Sequence, residues 1–234
     1  MAKRTTNQSY GNDSISALKG ADRVRKRPAV IFGSDGLEGC EHAVFEILSN
    51  AIDEAREGHG SLITVTRYAD QSIEVEDFGR GCPVDWNEKE GRYNWELVFC
   101  ELYAGGKYNN NDGDNYEYSL GLNGLGSCAT QYASEYFDAV IHRDGFEYTL
   151  HFEKGENVGG LKKEPWSGKK TGSNSAGSRI WTCSPTSASR WSTTWTCSSG
   201  RRWSTPGSPS ASATRWVESS RPPTSNMRTA SRTT

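Results

Sequence analysis

The sequence predicts an α+β protein: a two-layer sandwich in which helices cover one face of a mixed, mostly antiparallel sheet. Three features indicate this class: one long amphipathic helix, two pairs of consecutive strands, and a long polar loop between those pairs. The element order is helix, strand, strand, long loop, helix, strand, strand. A doubly wound parallel sheet would alternate strands and helices throughout, so the order disfavours that class.

The long helix is predicted from Glu41 to Glu57, because its apolar residues recur at three- and four-residue spacing. Such a stripe requires a sheet beneath it. The residues of the stripe are Val44, Leu48, Ala51, Ile52 and Ala55.

The polar flank of this helix divides into two groups. Glu46 and Asn50 lie four residues apart, hence one above the other, and apolar residues surround both. This setting favours a functional role for them. Asp53, Glu54 and Glu57 follow among other charges, and we interpret them as an ordinary solvated face.

Four strands are predicted in two pairs. The first pair is Ser61–Tyr68 and Ser72–Asp77, with Ala69–Gln71 as the turn. The second pair is a hairpin from Phe137 to Phe152, whose alternating segments flank the turn pair Asp144-Gly145.

A glycine-rich loop separates the strand pairs. Residues 102–115 are rich in glycine and asparagine, and Lys107 follows a glycine pair there, which makes it a candidate phosphate contact. Gly121-x-x-Gly124-x-Gly126 then leads into a helix-compatible stretch, Ser127–Tyr136. The N-terminus of a helix offers N–H groups and a positive dipole end to an anion. Because no βαβ unit surrounds these glycines, phosphate binding is favoured over dinucleotide binding.

The composition changes abruptly near residue 173. Residues 1–172 carry a net charge of −9, whereas residues 173–234 carry +7. In that second part, 28 of 62 residues are Ser or Thr, and Lys, Asp, Leu, Phe and Tyr are absent. We therefore expect it to be largely disordered, since it has little to bury against the entropy cost of folding.

Two interpretations of this tail stay open. One is a linker rich in Ser and Arg. The other is out-of-frame translation beginning close to Ser173, because Trp, Arg, Ser, Thr, Pro and Cys rise together there. Resequencing the coding DNA distinguishes them, since a clean in-frame sequence would remove the second.

Other function classes are disfavoured. The six cysteines form no Cys-x-x-Cys pair and have no neighbouring histidine at zinc spacing, so no metal cluster is expected. The sequence has neither a signal-type apolar segment nor an apolar run of membrane-spanning length. We therefore expect a soluble cytoplasmic protein that does not engage a membrane.

Several motifs together resemble the N-terminal ATPase domain of the DNA gyrase B protein, a type IIA topoisomerase domain with the Bergerat (GHKL) ATP-binding fold. The resemblance covers about residues 10 to 173. The run Arg25-Lys26-Arg27-Pro28 and the Ala-Gly-Gly-Lys loop point to this branch rather than to chaperones, mismatch-repair proteins or histidine kinases. The matching segments are 25–28, 50–55, 77–83, 104–107 and 121–126.

The resemblance implies roles for the central residues. Glu46 would be the general base that activates water, and Asn50 would bind Mg²⁺ together with phosphate oxygens. Asp77 would accept a hydrogen bond from the adenine amino group. Gly79 and Gly81 would let the backbone approach the base.

It also implies roles for more distant residues. Lys107 would lie in a lid, Ser173 would replace a family threonine near the adenine, and Arg143 would lie at the mouth of the site. Tyr10 and Ile15 would reach across an ATP-closed dimer, with Tyr10 touching the partner's nucleotide. The loop that wraps the phosphates would be Gly121, Leu122, Asn123, Gly124, Leu125, Gly126 and Ser127.

Three parts of the chain follow: an N-terminal arm, 1–20; an ATPase domain, 21–173; and a low-complexity tail, 174–234. The implied cofactors are ATP and Mg²⁺. In the intact family member, a homodimer formed through the arm would couple ATP hydrolysis to DNA strand passage with a gyrase A-type partner. The family continues beyond Ser173 with more sheet and a lysine-bearing domain, so we expect this chain to bind ATP weakly, to hydrolyse it slowly and not to pass DNA.

Two alternatives remain: a non-catalytic ATP-binding remnant, and a chaperone or mismatch-repair ATPase of the same fold. Comparing binding with hydrolysis in Glu46→Ala distinguishes the first. The run 25–28 argues against the second. Supercoiling and decatenation are not separated by the sequence.

Overall fold

The chain folds into two layers, a sheet and a set of helices on one of its faces, which confirms the predicted fold class. The structure is a computed structural model. It describes residues 17–68, 72–104, 124–168, 171–180 and 213–219.

Five helices lie within the described residues. The longest confirms the helix predicted from residue 41 to 57, but it begins four residues earlier, directly after the extended Gly36. The helices are α1 (Asp22–Arg25), α2 (Pro28–Phe32), α3 (Leu37–Arg56), α4 (Asn94–Cys100) and α5 (Gly126–Ala133).

Ten strands are described, and they include both predicted strand pairs. They are β1 (Leu62–Tyr68), β2 (Ile73–Asp77), β3 (Trp86–Asn87), β4 (Arg92–Tyr93), β5 (Ser134–Arg143), β6 (Phe146–Glu153), β7 (Glu156–Asn157), β8 (Lys162–Pro165), β9 (Gly172–Ile180) and β10 (Ala213–Ser219).

The main sheet has eight strands in the order β10-β1-β2-β9-β5-β6-β7, with β8 also paired to β6. Every pairing is antiparallel except that of β1 with β10. Strands β3 and β4 form a separate hairpin. Strand β9 lies between β2 and β5, and it therefore joins the two predicted strand pairs into one sheet.

Helix α3 packs on the sheet through the predicted apolar stripe. Ala51 and Ala55 form a buried cluster with Ile63, Val65 and Val75 of β1 and β2. Ile63 and Val65 are 1% exposed, and full burial of such a side chain contributes about 1.5–3 kcal/mol. This packing holds the polar flank of α3 in a defined position above the strand ends.

Two further clusters complete the core. Phe99 of α4 packs against both Phe137 of β5 and Phe152 of β6, with ring centroids 5.8 Å away in each case. Val24 and Tyr132 belong to the cluster that joins α1, α2, α3 and α5. Helix α5 is thus buried among three other helices.

Local differences from the sequence predictions have simple causes. The helix predicted to run from residue 127 to 136 ends at Ala133, because Ser134 already begins β5. The turn between β5 and β6 is confirmed, with positive φ at Asp144 (53°) and Gly145 (78°). The turn predicted at residues 69–71 lies outside the described residues.

The structure places strands beyond residue 173. Strand β9 crosses the predicted domain boundary at 173, and β10 lies within the segment expected to be disordered. Both are integral to the main sheet. The two interpretations of the tail's origin stay predictions.

Candidate functional site

A row of polar residues along α3 forms the spine of the candidate site. Glu46, Asn50 and Glu54 follow one another at four-residue spacing, so they span about 12 Å along the helix. Helix α5 faces the Glu46 end of this row, and the segment after β2 faces the Glu54 end.

Glu46 is oriented by a histidine that the sequence analysis did not select. Nε2 of His42 lies 3.1 Å from Oε1 of Glu46, and Nδ1 of His42 lies 3.2 Å from the carbonyl oxygen of Phe32. The two ring nitrogens of His42 therefore contact the end of α2 on one side and Glu46 on the other. The spacing of four residues between His42 and Glu46 was the signal available in the sequence.

The start of α5 lies directly against this part of α3. Asn50 donates from Nδ2 to Oγ of Ser127 over 3.2 Å. A Cβ at Gly126 would overlap the carboxylate of Glu46, so only glycine permits this approach. One turn further along, Thr130 donates to the carbonyl of Ala43 over 3.0 Å and fixes the two helices together.

Asp77 is held at the end of β2 by its neighbours. Its Oδ1 accepts from the backbone N–H groups of Gly79 (2.9 Å) and Ser173 (3.2 Å). The hydroxyl of Ser173 in turn accepts from the N–H of Cys82 over 3.0 Å. These bonds fix the plane of the carboxylate and bring the predicted residues 77, 79 and 173 together.

Gly81 and Arg143 meet on the other side of this segment. Gly81 has φ 80°, and a Cβ there would come within 2.7 Å of the carbonyl oxygen of His142. Arg143 donates from a guanidinium N–H to the carbonyl of Gly81 over 2.8 Å. An open cleft of about 490 Å³ lies here, with Arg80 and Arg143 among its lining residues.

The interpretation of the second acidic group on α3 as a solvated face was wrong for two of its members. Asp53 is only 5% exposed. Glu54 accepts two side-chain bonds from Arg80, at 2.8 and 2.9 Å, and a third from the Arg80 backbone N–H. Hydrogen bonding to Arg80 lowers the pKa of Glu54. Arg80 also reaches Glu57, at 2.6 Å.

This ion-pair cluster links the two ends of the site. A Cβ at Gly79 would overlap the side chain of Glu54, so the segment after Asp77 lies directly on α3. One continuous surface, which we call the wall, therefore runs from the segment after β2 along α3. Its polar residues are, in order, Asp77, Glu54, Asn50 and Glu46. The signal in the sequence was Arg80 itself, an arginine within Asp-x-Gly-Arg-Gly.

Several predicted site residues lie outside the described part of the chain: Tyr10, Ile15, Lys107, Gly121, Leu122 and Asn123. Gly124 is described, with φ 57°, and it precedes Leu125, the N-cap of α5. The roles assigned to all the site residues stay predictions.

The residues at the Glu46 end fit a bound Mg²⁺. Magnesium usually binds one or two protein oxygens and completes its octahedron with phosphate oxygens and waters. The amide of Asn50 is anchored through its nitrogen to Ser127, so the oxygen is the atom left to serve as a ligand. Within the described ranges, no group of three or more His, Cys, Asp or Glu side chains is arranged to hold a metal, and this donor set does not require one.

Comparisons with known proteins agree on one domain type. The DNA gyrase B protein of Thermotoga maritima is 43% identical over 151 residues, which are 64% of this chain and 23% of that protein. For the DNA gyrase B protein of Caulobacter vibrioides, the identity is 44% over 154 residues, 65% of this chain and 19% of that protein. The chain contains an N-terminal ATPase domain of the gyrase B type.

Other relatives to which this gyrase B-type domain is similar are named as topoisomerases. The type 2 topoisomerase B protein of Aquifex aeolicus is 42% identical over 153 residues, 65% of this chain and 19% of that protein. The solved topoisomerase IV ATP-binding domain of Francisella tularensis, in complex with a small-molecule inhibitor, has a TM-score of 0.55 and 33% identity. The aligned region covers 69% of this chain and 41% of the chain of that solved structure. No protein-family model matches the chain.

The gyrase B-type domain is a small part of these proteins: the chain spans only 19 to 23% of the length of the curated relatives named above. Among the helices that the structure describes, none has the length and apolar character needed to cross a bilayer.

Proposed function

We propose that the chain binds Mg²⁺-ATP along α3 and hydrolyses its γ-phosphate bond. One observation carries the proposal: Asp77 and Glu46 lie at opposite ends of a continuous wall, with the N-terminus of α5 against the Glu46 end. Such a wall offers a base-reading carboxylate at one end and phosphate-binding groups at the other.

The adenine lies at the Asp77 end in this proposal. An ionised carboxylate only accepts hydrogen bonds and so suits an exocyclic amino group, which donates them. Because two backbone N–H groups hold the Asp77 carboxylate in one orientation, it is positioned before the nucleotide arrives. The glycines at 79 and 81 let the segment after Asp77 pack closely on its neighbours, since a Cβ at either position would meet Glu54 or the carbonyl of His142.

The triphosphate lies at the start of α5. The free N–H groups and the positive dipole end of this helix attract the phosphate oxygens. Asn50 would hold Mg²⁺, which when bound neutralises charge on the phosphate oxygens. The hydrogen bond from Asn50 to Ser127 holds its amide against the first turn of α5.

Glu46 is the general base of the proposed reaction. It takes a proton from water as the water oxygen bonds to the γ-phosphorus, and the bridging oxygen leaves with ADP. His42 is a positioning residue, because it touches Glu46 and not the phosphate in this arrangement. Its bond to the Phe32 carbonyl fixes the ring and so restricts the rotamer of Glu46.

The wider activity belongs to a longer protein. We propose that this domain serves a gyrase B-like protein, in which ATP hydrolysis drives closure of a homodimer and DNA strand passage with a gyrase A-type partner. The names of the relatives, which are gyrase and type 2 topoisomerase proteins, support the topoisomerase part of this proposal. For the 234-residue chain itself we expect ATP binding and slow hydrolysis. A cytoplasmic location stays a prediction.

Hydrolysis by two charge-matched variants tests the proposed function. Glu46→Gln removes the base, and Glu38→Gln removes an exposed carboxylate from the same helix. We expect Glu46→Gln to abolish phosphate release while retaining binding of an ATP analogue, and Glu38→Gln to behave as the parent chain. Equal phosphate release by both variants would contradict the role of Glu46. A parent chain that binds but does not hydrolyse ATP would indicate a non-catalytic binding domain.

A further inference from the structure

Strand β10 covers the edge of the sheet that β1 would otherwise form. The two strands pair in parallel over seven consecutive positions, from Leu62 with Ala213 to Tyr68 with Ser219. The other side of β1 pairs with β2, so both sides of β1 are occupied. The covering strand comes from the part of the chain whose composition predicts disorder.

The composition of β1 would make it prone to pair with another chain if its outer edge were uncovered. Its sequence, Leu-Ile-Thr-Val-Thr-Arg-Tyr, contains four β-branched residues and one charge. A long edge with high β-propensity and little charge is a template for pairing with another chain. Proteins guard such edges with lysine, proline or bulges, whereas β1 has neither lysine nor proline and pairs with β2 without a bulge.

Strand β8, which pairs with β6 near the opposite end of the sheet, provides an internal comparison. It contains Lys162, Lys163 and Pro165, and all of its residues are exposed. Residue type therefore protects this strand. The β1 edge lacks that protection and has a covering strand instead.

Strand β10 is the terminal strand at the β1 end of the main sheet. It pairs with β1 alone, and 32 residues, 181–212, connect it to β9. A connection of this length adds little closure entropy compared with a shorter one. Its sequence, Ala-Thr-Arg-Trp-Val-Glu-Ser, includes the strand-forming Thr, Trp and Val.

We propose that the outer edge of β1 is a strand-docking surface, and that residues 213–219 of the same chain occupy it and prevent β1 from pairing with a second copy. The occupant binds by the main-chain hydrogen bonds of a parallel ladder, as in strand addition to exposed sheet edges. This role is independent of nucleotide binding.

Cross-linking in the full chain tests the docking. Thr66 and Val217 are ladder partners, so Thr66→Cys combined with Val217→Cys brings two thiols together. Mild oxidation followed by peptide mapping, which separates this bond from those of the six native cysteines, should show the cross-link within one chain. The control pair, Thr66→Cys with Glu218→Cys, is one position out of register and should give a much lower yield of the cross-link within one chain. Absence of the in-register cross-link, or its formation only between two chains, would overturn the proposal.

A second experiment tests the protective role. Val217→Pro removes a backbone N–H from the centre of β10 and disfavours the strand. We expect its mass by light scattering to shift from monomer to dimer and larger species as concentration rises. Thr229→Pro, placed beyond β10, should leave the mass unchanged. An added peptide of residues 213–219 should reverse the shift, and a scrambled peptide should not. A monomeric Val217→Pro chain with a folded circular dichroism spectrum would overturn the protective role.

Discussion

Asn50 on α3 donates a hydrogen bond to Ser127 on α5 over 3.2 Å, across 77 positions of sequence. This bond joins the proposed magnesium ligand to the first turn of the helix that faces the phosphates. Because both side chains are short, the bond forms only while α3 and α5 lie close together at this point. Geometry at the phosphate end therefore depends on how α3 and α5 pack.

Removal of the Ser127 hydroxyl should weaken nucleotide binding. Ser127→Ala frees the Asn50 amide to rotate, and the loss of one such hydrogen bond corresponds to about a two- to tenfold weaker binding of Mg²⁺-ATP. Titration with a fluorescent ATP analogue measures the effect. Ser167→Ala, at an exposed position away from α3, should bind as the parent chain does. Unchanged affinity in Ser127→Ala would show that this bond does not orient Asn50.

A methyl group at position 126 should disturb Glu46. In Gly126→Ala the new Cβ would overlap the Glu46 carboxylate and lie 2.9 Å from its Cβ. Misplacement of a catalytic group by about 1 Å lowers the rate about a hundredfold. We therefore expect the rate of phosphate release to fall by about that factor.

The matched control for this substitution is Gly36→Ala. A Cβ there would meet only Oγ of Ser34, at an ordinary 3.6 Å. Initial rates of phosphate release should be unchanged in this control. If Gly126→Ala hydrolyses ATP as fast as Gly36→Ala does, Glu46 does not act from the position that the structure shows.

Arg25 should stabilise the domain by holding the end of α5. It donates to the carbonyl oxygens of Tyr132 (3.2 Å) and Ser134 (2.9 Å) and pairs with Glu135 at 2.7 Å. A cation here also interacts favourably with the C-terminal end of the helix dipole. We expect Arg25→Ala to lower the free energy of unfolding by about 2 kcal/mol.

Urea denaturation measures this change, and the neighbouring lysine supplies the control. Lys26 pairs with Asp22 at 2.8 Å, but both side chains are more than half exposed. Exposed pairs contribute about 0–1 kcal/mol. If Lys26→Ala and Arg25→Ala lower the free energy of unfolding equally, the contacts of Arg25 with α5 stabilise the domain no more than an exposed ion pair does.

The ion pair of Glu54 with Arg80 should make stability depend on pH in the acid range. Arg80 lowers the folded-state pKa of Glu54 below its ordinary value of 4.5. A lowered folded-state pKa means that the stabilisation is present above the unfolded-state pKa and is lost as pH falls through the folded-state pKa. The melting temperatures of the parent chain and Glu54→Gln should therefore differ at neutral pH and converge in acid. Glu88→Gln, at an exposed position, should show no such convergence, and a constant difference for Glu54→Gln would contradict the assignment.

Periodic patterns in the sequence were sufficient to predict the elements with a local signal. The stripe on α3 and the alternation on either side of Asp144-Gly145 are of this kind, because each depends on residues close in sequence. The same is true of the glycines around Asp77. The contact of Asp77 with Ser173 and that of Gly79 with Glu54, however, join segments distant in sequence, and no local pattern predicts them.

The features that were missed depend on pairing across the fold. Glu54 resembled part of a solvated face because its partner, Arg80, is 26 positions away in the sequence. Strand β10 is seven residues long in a segment of biased composition. Its place in the sheet depends on pairing with β1, which lies in a distant part of the chain.

Calorimetric titration of the full chain with a non-hydrolysable ATP analogue and Mg²⁺ tests the central claim most directly, when it is repeated with Glu46→Ala and Asp77→Ala. The proposed arrangement places the adenine at Asp77 and the reacting phosphate at Glu46. We therefore expect the parent chain and Glu46→Ala to bind with similar heats and Asp77→Ala to lose binding. Equal binding by Asp77→Ala and the parent chain, or no binding by a folded parent chain, would contradict a nucleotide site along α3.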